Sequence, residues 1–287
     1  MNVAYYNGEK LEDRNIISVY NGSFLYGVNV FEGIRAYWNA QKGKMFFFDL
    51  KEHLERLLVS IDFIGFNVDA SIESLENELW NIFEKESITE DVYIRITYFV
   101  DGETSWSETE KVSYVISVRS MVSNLLTEKE ITLKITNVNR INSRSMPPSI
   151  KAGANYLNSR YALLEATSNG FDGALFINEN NCISESTGAC IFFIDNNKIV
   201  TPSIDNDILV GVTRNRIIAL CQEAGIEVCE MNIPMPFVYK FQGAFLAGTM
   251  AELKPISQID QKKYNTFDNP VFDSIKHKLN TYVRNEI

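Results

Sequence analysis

Alternation of apolar and polar residues, punctuated by turn residues, divides the chain into short strands and amphipathic helices. Val3–Tyr6 and Glu9–Leu11 flank Asn7-Gly8, a pair that takes positive φ readily and predicts a tight hairpin. Gly33–Trp38 and Met45–Phe48 read as strands around the turn Gln41-Lys42-Gly43-Lys44. Asp49 with Glu52 three residues on has a capping-box pattern. The helix it opens runs from Leu50 to about Phe63, with Leu54, Leu57, Leu58 and Ile61 on one face. A second helix covers roughly Ile72–Lys85, with Leu75, Leu79, Ile82 and Phe83 apolar. Val92–Val100 and Val112–Val118 are strands by composition. The N-terminal part therefore predicts two helices over a mostly antiparallel sheet.

The pattern shifts at Ser120–Lys129, where a strand gives way to a polar segment. We place the boundary there: a smaller α/β domain over residues 1–120, a linker over 121–129 and a larger domain over 130–287. In the larger part Glu130–Asn137 reads as a strand. Asn139–Ser149 is an irregular loop containing Arg140, Arg144 and Pro147-Pro148. Ala152–Thr167 reads as a helix stopped near Gly170. Ala174–Ile177, Cys182–Glu185, Ala189–Ile194 and Lys198–Thr201 are short strands joined by Asn-rich turns. Val212–Glu223 is a helix with Gly225 just past its end. Strands around Ile226–Met231 and Ala244–Ala247 and a helix from about Val271 to Val283 complete the pattern. The class is mixed α/β (α+β), with no repeat and no heptad array.

Composition narrows the function. With 37 acidic against 27 basic residues the formal net charge is -10, and no Lys/Arg run is present. Counterion release needs a basic face, so neither nucleic acid nor an anionic membrane is an expected partner. No apolar run approaches the 18 or more residues of a spanning helix, and the start carries no signal-peptide pattern, so a cytoplasmic protein is expected. Cys182, Cys190, Cys221 and Cys229 form no C-x-x-C, and the histidines are His53 and His277. No metal site is expected, and the cysteines read as buried reduced thiols.

Lys151 is the first candidate for chemistry. A lone lysine is ordinarily a solvated charge, but small residues Ala152, Gly153 and Ala154 follow this one and would let a flat ligand approach the backbone. Schiff-base chemistry needs an amine that reaches its neutral form, which desolvation and neighbouring cations favour. Gly211-Val212-Thr213 precedes a helix whose free N–H groups form a phosphate seat, or Thr213 merely caps that helix. Gly248-Thr249-Met250-Ala251-Glu252 offers a second Gly-Thr turn. On residue type alone Glu185 reads as well as a solvated turn carboxylate, and Arg56 as an exposed helix charge.

Taken in order, seven segments resemble the fold-type IV pyridoxal-phosphate enzymes, the class IV aminotransferases, and among them the branched-chain amino acid aminotransferases. They are Tyr26-Gly-Val-Asn-Val-Phe-Glu-Gly-Ile-Arg35, His53-Leu-Glu-Arg56-Leu, Tyr93-Ile-Arg95, Lys151-Ala-Gly-Ala-Asn-Tyr156-Leu, Ile183-Ser-Glu185-Ser, Gly211-Val-Thr213 and Gly248-Thr-Met-Ala-Glu252. The resemblance implies a small N-terminal α/β domain and a larger C-terminal pseudo-barrel domain binding pyridoxal 5′-phosphate (PLP). It implies Lys151 as the Schiff-base lysine and proton shuttle, Glu185 as the partner of the pyridine nitrogen, and Tyr156 on the phenolic oxygen. Arg56, Val212, Thr213 and Thr249 resemble the phosphate cup, and the turn through Thr249 and Met250 the seat of the substrate carboxylate. Tyr26, Phe31, Tyr93 and Arg95 match wall positions, with Arg95 facing the distal carboxylate of glutamate or 2-oxoglutarate. The implied partners are amino acid and 2-oxo acid substrates and a second copy of the chain in a homodimer or larger homo-oligomer.

The implied activity is ping-pong amino exchange between a hydrophobic, branched-chain type amino acid and 2-oxoglutarate. A D-amino acid transaminase or an aminodeoxychorismate-lyase-like enzyme shares the lysine, the acid and the phosphate cup; a catalytically idle protein on the same fold would lack one of them. Two segments depart from the family pattern. Ala189-Cys190-Ile191-Phe192 stands where an Asn usually precedes the next strand, and Asp101–Lys111, with Trp106, is polar.

Overall fold

The structure is a computed structural model that describes residues 1–11, 18–102, 105, 107, 111–126 and 129–284. The chain forms two compact units. Among the described residues, one comprises Met1–Val122 with Ile150–Ala154 and Val283 and Arg284; the other comprises Ser123–Ser149 and Asn155–Tyr282. Lys151 and its neighbours over Ile150–Ala154 thus group with the first unit, although the chain on either side belongs to the second.

In the first unit β1 (Asn2–Tyr6), β2 (Glu9–Lys10), β3 (Asn29–Asn39), β4 (Lys44–Phe47), β5 (Val92–Val100) and β6 (Val112–Ser120) form one antiparallel sheet, in the order β2-β1-β6-β5-β3-β4. Asn7 and Gly8 both have positive φ (45° and 83°), as a type I′ hairpin requires. A short helix α1 (Gly22–Tyr26), capped by the Asn21 side chain, precedes β3. Helices α2 (Leu50–Phe63) and α3 (Ile72–Lys85) occupy the residues expected. Leu54, Leu57, Leu79 and Phe83 join Ile34, Ile94, Ile96 and Val118 in one core. The expected capping box at Asp49 does not form. Asp49 is left-handed (φ 41°), so its side chain makes no cap hydrogen bond, whereas Ser71 and Ser74 cap α3 reciprocally.

The second unit holds β7 (Ile131–Ile135), β8 (Gly173–Ile177), β9 (Ile183–Ser186), β10 (Cys190–Asp195), β11 (Lys198–Pro202), β12 (Val228–Met231), β13 (Gly243–Gly248), β14 (Glu252–Ile259) and β15 (Lys262–Lys263). The sheet order is β12-β11-β10-β13-β14-β7-β8-β9, with β15 on β14. The end strand β9 also lies against β10 and β11, which curls the sheet back on itself. Helices α4 (Tyr156–Ser168), α5 (Val212–Glu223) and α6 (Pro270–Val283) complete the unit. The helix expected from Ala152 starts four residues later, because Ala152 bridges to Val30 and Gly153–Asn155 makes a 3-10 turn. Strand β14 escapes sequence reading: Pro255, which lacks a ladder N–H, sits in its middle, and Glu252 opens it at φ 52°. No disulfide joins the four cysteines; Cys190 and Cys221 are buried, Cys182 and Cys229 half-buried.

Candidate active site

The first unit mounts its chemistry on β3. Val30, Ile34 and Ala36 face the helices, so Phe31, Gly33 and Arg35 face the other way. The register sets Gly33 opposite Arg95, Phe31 opposite Thr97 and Arg35 opposite Tyr93, which brings Phe31, Tyr93 and Arg95 to one face. Arg95 lies 3.6 Å above the Phe31 ring centroid, and its Nε donates to Thr97 Oγ1 at 3.2 Å. Gly33 makes room for Tyr93: a Cβ there would stand 2.5 Å from the Tyr93 hydroxyl.

Lys151 is docked on β3 through its backbone. Phe31 N–H donates to the Lys151 carbonyl at 3.0 Å, and Ala152 bridges Val30. Ile150 and Ala152 pack into the core of the sheet, so the alternation turns Lys151 to the face of Phe31, where its Nζ lies 5.1 Å from the ring centroid. The close docking needs Gly153, where a Cβ would fall 2.3 Å from Asn29 Oδ1. Tyr26 ends α1 half-exposed. Arg56, on α2, grips buried Glu32 through Nε (2.9 Å) and Nη2 (2.7 Å). Burial alone would raise the Glu32 pKa, but the Arg56 charge and the His53 hydrogen bond outweigh it and hold the carboxyl well below the usual range. Burial likewise lowers the pKa of His53, against the pull of Glu32, and keeps the imidazole neutral near pH 7.

In the second unit Glu185 ends up buried on β9. Its Oε1 lies 2.7 Å from Arg140 Nη2 and accepts the Leu209 N–H at 3.1 Å. Arg140 is itself buried, its guanidinium 5.4 Å above the Phe176 ring and its Nη1 donating to Asn158 Oδ1 of α4 at 3.3 Å. Tyr156 opens α4 partly exposed. Helix α5 starts at Val212 after Gly211, with no side chain capping its first turn. The Thr213 Oγ1 in that turn is buried with no hydrogen-bond partner among the described residues. Thr249 and Met250 form the turn between β13 and β14. Asn124 Nδ2 donates to the Met250 carbonyl at 2.9 Å, and Glu252 accepts from Ser123 Oγ at 2.8 Å and from the Asn124 N–H.

The family model for class IV amino-transferases matches residues 29–259. The chain belongs to this family. A probable branched-chain-amino-acid aminotransferase of Aquifex aeolicus is 34% identical over 298 residues, covering 98% of this chain and 95% of the relative. The branched-chain-amino-acid aminotransferase of Escherichia coli K12 is 31% identical over 265 residues, covering 89% and 84%. Among solved structures, the PLP form of the branched-chain enzyme from Thermobaculum terrenum superimposes with a TM-score of 0.93 at 30% identity, covering 99% and 94%. The norvaline complex of the Thermoproteus uzoniensis enzyme gives 0.92 at 29%, covering 99% and 95%. The expected fold type IV is therefore the fold observed.

Class IV aminotransferases use PLP, and the second unit of this aminotransferase fits a phosphate ester. An uncapped helix start with an orphaned buried hydroxyl offers the N–H and O–H donors that suit an anion. Sequence reading gave no role to Arg140, which pairs with Glu185, to Glu32 and His53, which hold Arg56, or to Glu252, which holds the segment Ser123-Asn124 against Met250. Glu32, His53 and Glu252 lie inside the segments that carry the family resemblance, whereas Arg140 lies outside all seven. The departure around Trp106 falls largely on residues outside those described. Among the described residues no group of His, Cys, Asp and Glu is set to hold a metal ion, and no helix is long and apolar enough to cross a membrane.

Proposed function

We propose that this aminotransferase exchanges the amino group between a hydrophobic, branched-chain type amino acid and 2-oxoglutarate in a ping-pong cycle, using PLP carried by Lys151. When bound, the cofactor supplies an electron sink that stabilises negative charge at the substrate Cα. The chain does the rest. Lys151 is the amine that holds the cofactor and then moves the proton at Cα, and its backbone docking on β3 fixes where that amine stands. Glu185 holds a proton on the ring nitrogen, its own charge stabilised in the buried site by Arg140 and the Leu209 N–H. Tyr156 takes the phenolic oxygen. Arg56, the first N–H groups of α5 at Val212 and Thr213, and Thr249 hold the phosphate.

The substrate side divides between an apolar wall and fixed charge. Phe31, Tyr93 and Tyr26 supply aromatic surface for a branched side chain, while the turn Gly248–Met250 takes the α-carboxylate. Arg95, stacked on Phe31 and tied to Thr97, binds the distal carboxylate of 2-oxoglutarate. The enzyme works in the cytoplasm as a homodimer. In support of a second copy, α1 and the residues before it present Val19, Tyr20, Phe24 and Leu25 with about half or more of their surface exposed.

The observation that carries the reading is the lysine mounted on β3 with its amine 5.1 Å from a Phe31 ring that also bears Arg95. Borohydride treatment of PLP-loaded protein is expected to add the cofactor mass to Lys151, and Lys151→Ala to abolish transamination. Turnover is expected to be fastest with isoleucine, leucine or valine and 2-oxoglutarate. Preference for D-alanine or for aminodeoxychorismate would redirect the assignment within the family, and full activity of Lys151→Ala would end it.

A further inference from the structure

The helix-facing side of β3 is apolar at Val30, Ile34 and Ala36 and charged at Glu32, which has no exposed surface. Both of its oxygens are engaged. Oε1 accepts from Arg56 Nη2 at 2.7 Å and from the Gly33 N–H at 2.9 Å, and faces His53 Nδ1 at 3.2 Å; Oε2 accepts from Arg56 Nε at 2.9 Å. His53 is also fully buried. Because it faces a carboxylate, which only accepts, its neutral ring carries the proton on Nδ1. Its Nε2 has no hydrogen-bond partner among the described residues. An orphaned ring nitrogen beside a buried carboxylate costs free energy that apolar side chains at these positions would not.

The cluster is continuous with the lysine segment. His53, Arg56 and Ser60 recur at three- and four-residue spacing along one stripe of α2. Ser60 Oγ donates to the Arg56 carbonyl at 3.0 Å and accepts the Lys151 N–H at 3.3 Å. Glu32 grips the guanidinium side-on, through Nε and Nη2, and so fixes the plane of the fork and the direction of its Nη1 end.

We propose that Glu32, itself held by His53, is a positioning residue that sets the Arg56 guanidinium for the cofactor phosphate. This rests on the reading of Arg56 as a phosphate ligand. Two effects of Glu32 oppose each other. Its negative charge weakens the pull of Arg56 on an anion, and its grip removes the rotamer freedom that a long side chain otherwise loses on binding. The grip acts at 2.7–2.9 Å, whereas repulsion of the phosphate acts from beyond the intervening guanidinium, so orientation wins.

The test separates phosphate from ring. The full-length chain, freed of cofactor, is titrated with PLP and with pyridoxal, which lacks the phosphate. Glu32→Gln is expected to weaken PLP binding about ten- to hundred-fold, the scale on which partners of a ligand-holding side chain act, and to leave pyridoxal binding unchanged. His53→Leu is expected to weaken PLP in the same direction by less, and His53→Asn, whose amide nitrogen takes the Nδ1 place, to restore it. This pair carries the test should Glu32→Gln not fold. In an Arg56→Met background Glu32→Gln is expected to add nothing. PLP binding by Glu32→Gln as tight as wild type, or an equal loss for pyridoxal, would overturn the proposal. Wild-type PLP affinity in Arg56→Met alone would instead remove the phosphate reading on which it stands.

Discussion

At the scale of single residues, the informative atoms are polar groups buried without an evident structural return. Thr213 is the clearest. Its Oγ1 lacks a partner among the described residues, in a helical first turn with no side-chain cap. A buried unpaired hydroxyl costs free energy, and replacing it by an apolar group of the same shape is close to neutral or stabilising. Thr213→Val is therefore expected to leave the urea midpoint of the cofactor-free protein unchanged or slightly raised. The same change is expected to weaken PLP about tenfold or more, since hydrogen bonds to charged groups contribute about 1.5–3 kcal/mol. A fall in cofactor-free stability with no change in PLP affinity would assign Thr213 to the fold alone. Thr213, Lys151 and Glu185 were legible as residue types in sequence. Arg140 was not, because a loop arginine has no periodicity from which its burial against Glu185 could be inferred.

Among the elements, the segment Ile150–Ala152 does the positioning. It behaves as a short extra strand beside the N-terminal half of β3, a stretch that β4 leaves uncovered because it pairs only from Ala36 onward. This explains why the helix begins at Tyr156 although the sequence runs helically from Ala152. Propensity was overridden by an available sheet edge. The docking depends on Gly153, where a methyl group would press on Asn29. Gly153→Ala is expected to destabilise the chain by about 1–3 kcal/mol, the usual cost of overpacking. In an Asn29→Ala background, with the obstruction gone, most of that cost should vanish; urea unfolding of the single and double variants measures the coupling. An equal cost in both backgrounds would show that the strain lies elsewhere.

For the molecule as a whole, the acidic balance of -10 sets the background against which the buried charges work. The fully buried cluster on α2 makes stability depend on pH in a definite direction. His53 has a folded pKa below its ordinary 6.5 because burial disfavours its cation, and Arg56 and Lys151 add to that. Between the folded value and 6.5 the unfolded chain binds more protons, so stability falls as pH drops below about 6.5. Glu32, held well below its ordinary 4.5 because the Arg56 charge overcomes its burial, adds a second loss as pH falls below about 4.5. Urea midpoints between pH 8 and pH 5 are expected to decline for the wild type and to decline less for His53→Leu. Identical slopes would remove His53 as the source.

The amino-acid sequence by itself determined most of the element types (α1 and β14 excepted), the two-helix antiparallel N-terminal part and the family. Periodicity and turn chemistry are local properties, and seven motifs spread along the chain leave little freedom in their assignment. Only the tertiary structure decided which side chains carry the site's electrostatics. The docking of residues 150–154 on β3, the grip of Glu32 on Arg56 and the pairing of Arg140 with Glu185 join residues 24 to about 120 positions apart. Contacts at that range depend on strand register and helix placement, which no local pattern records.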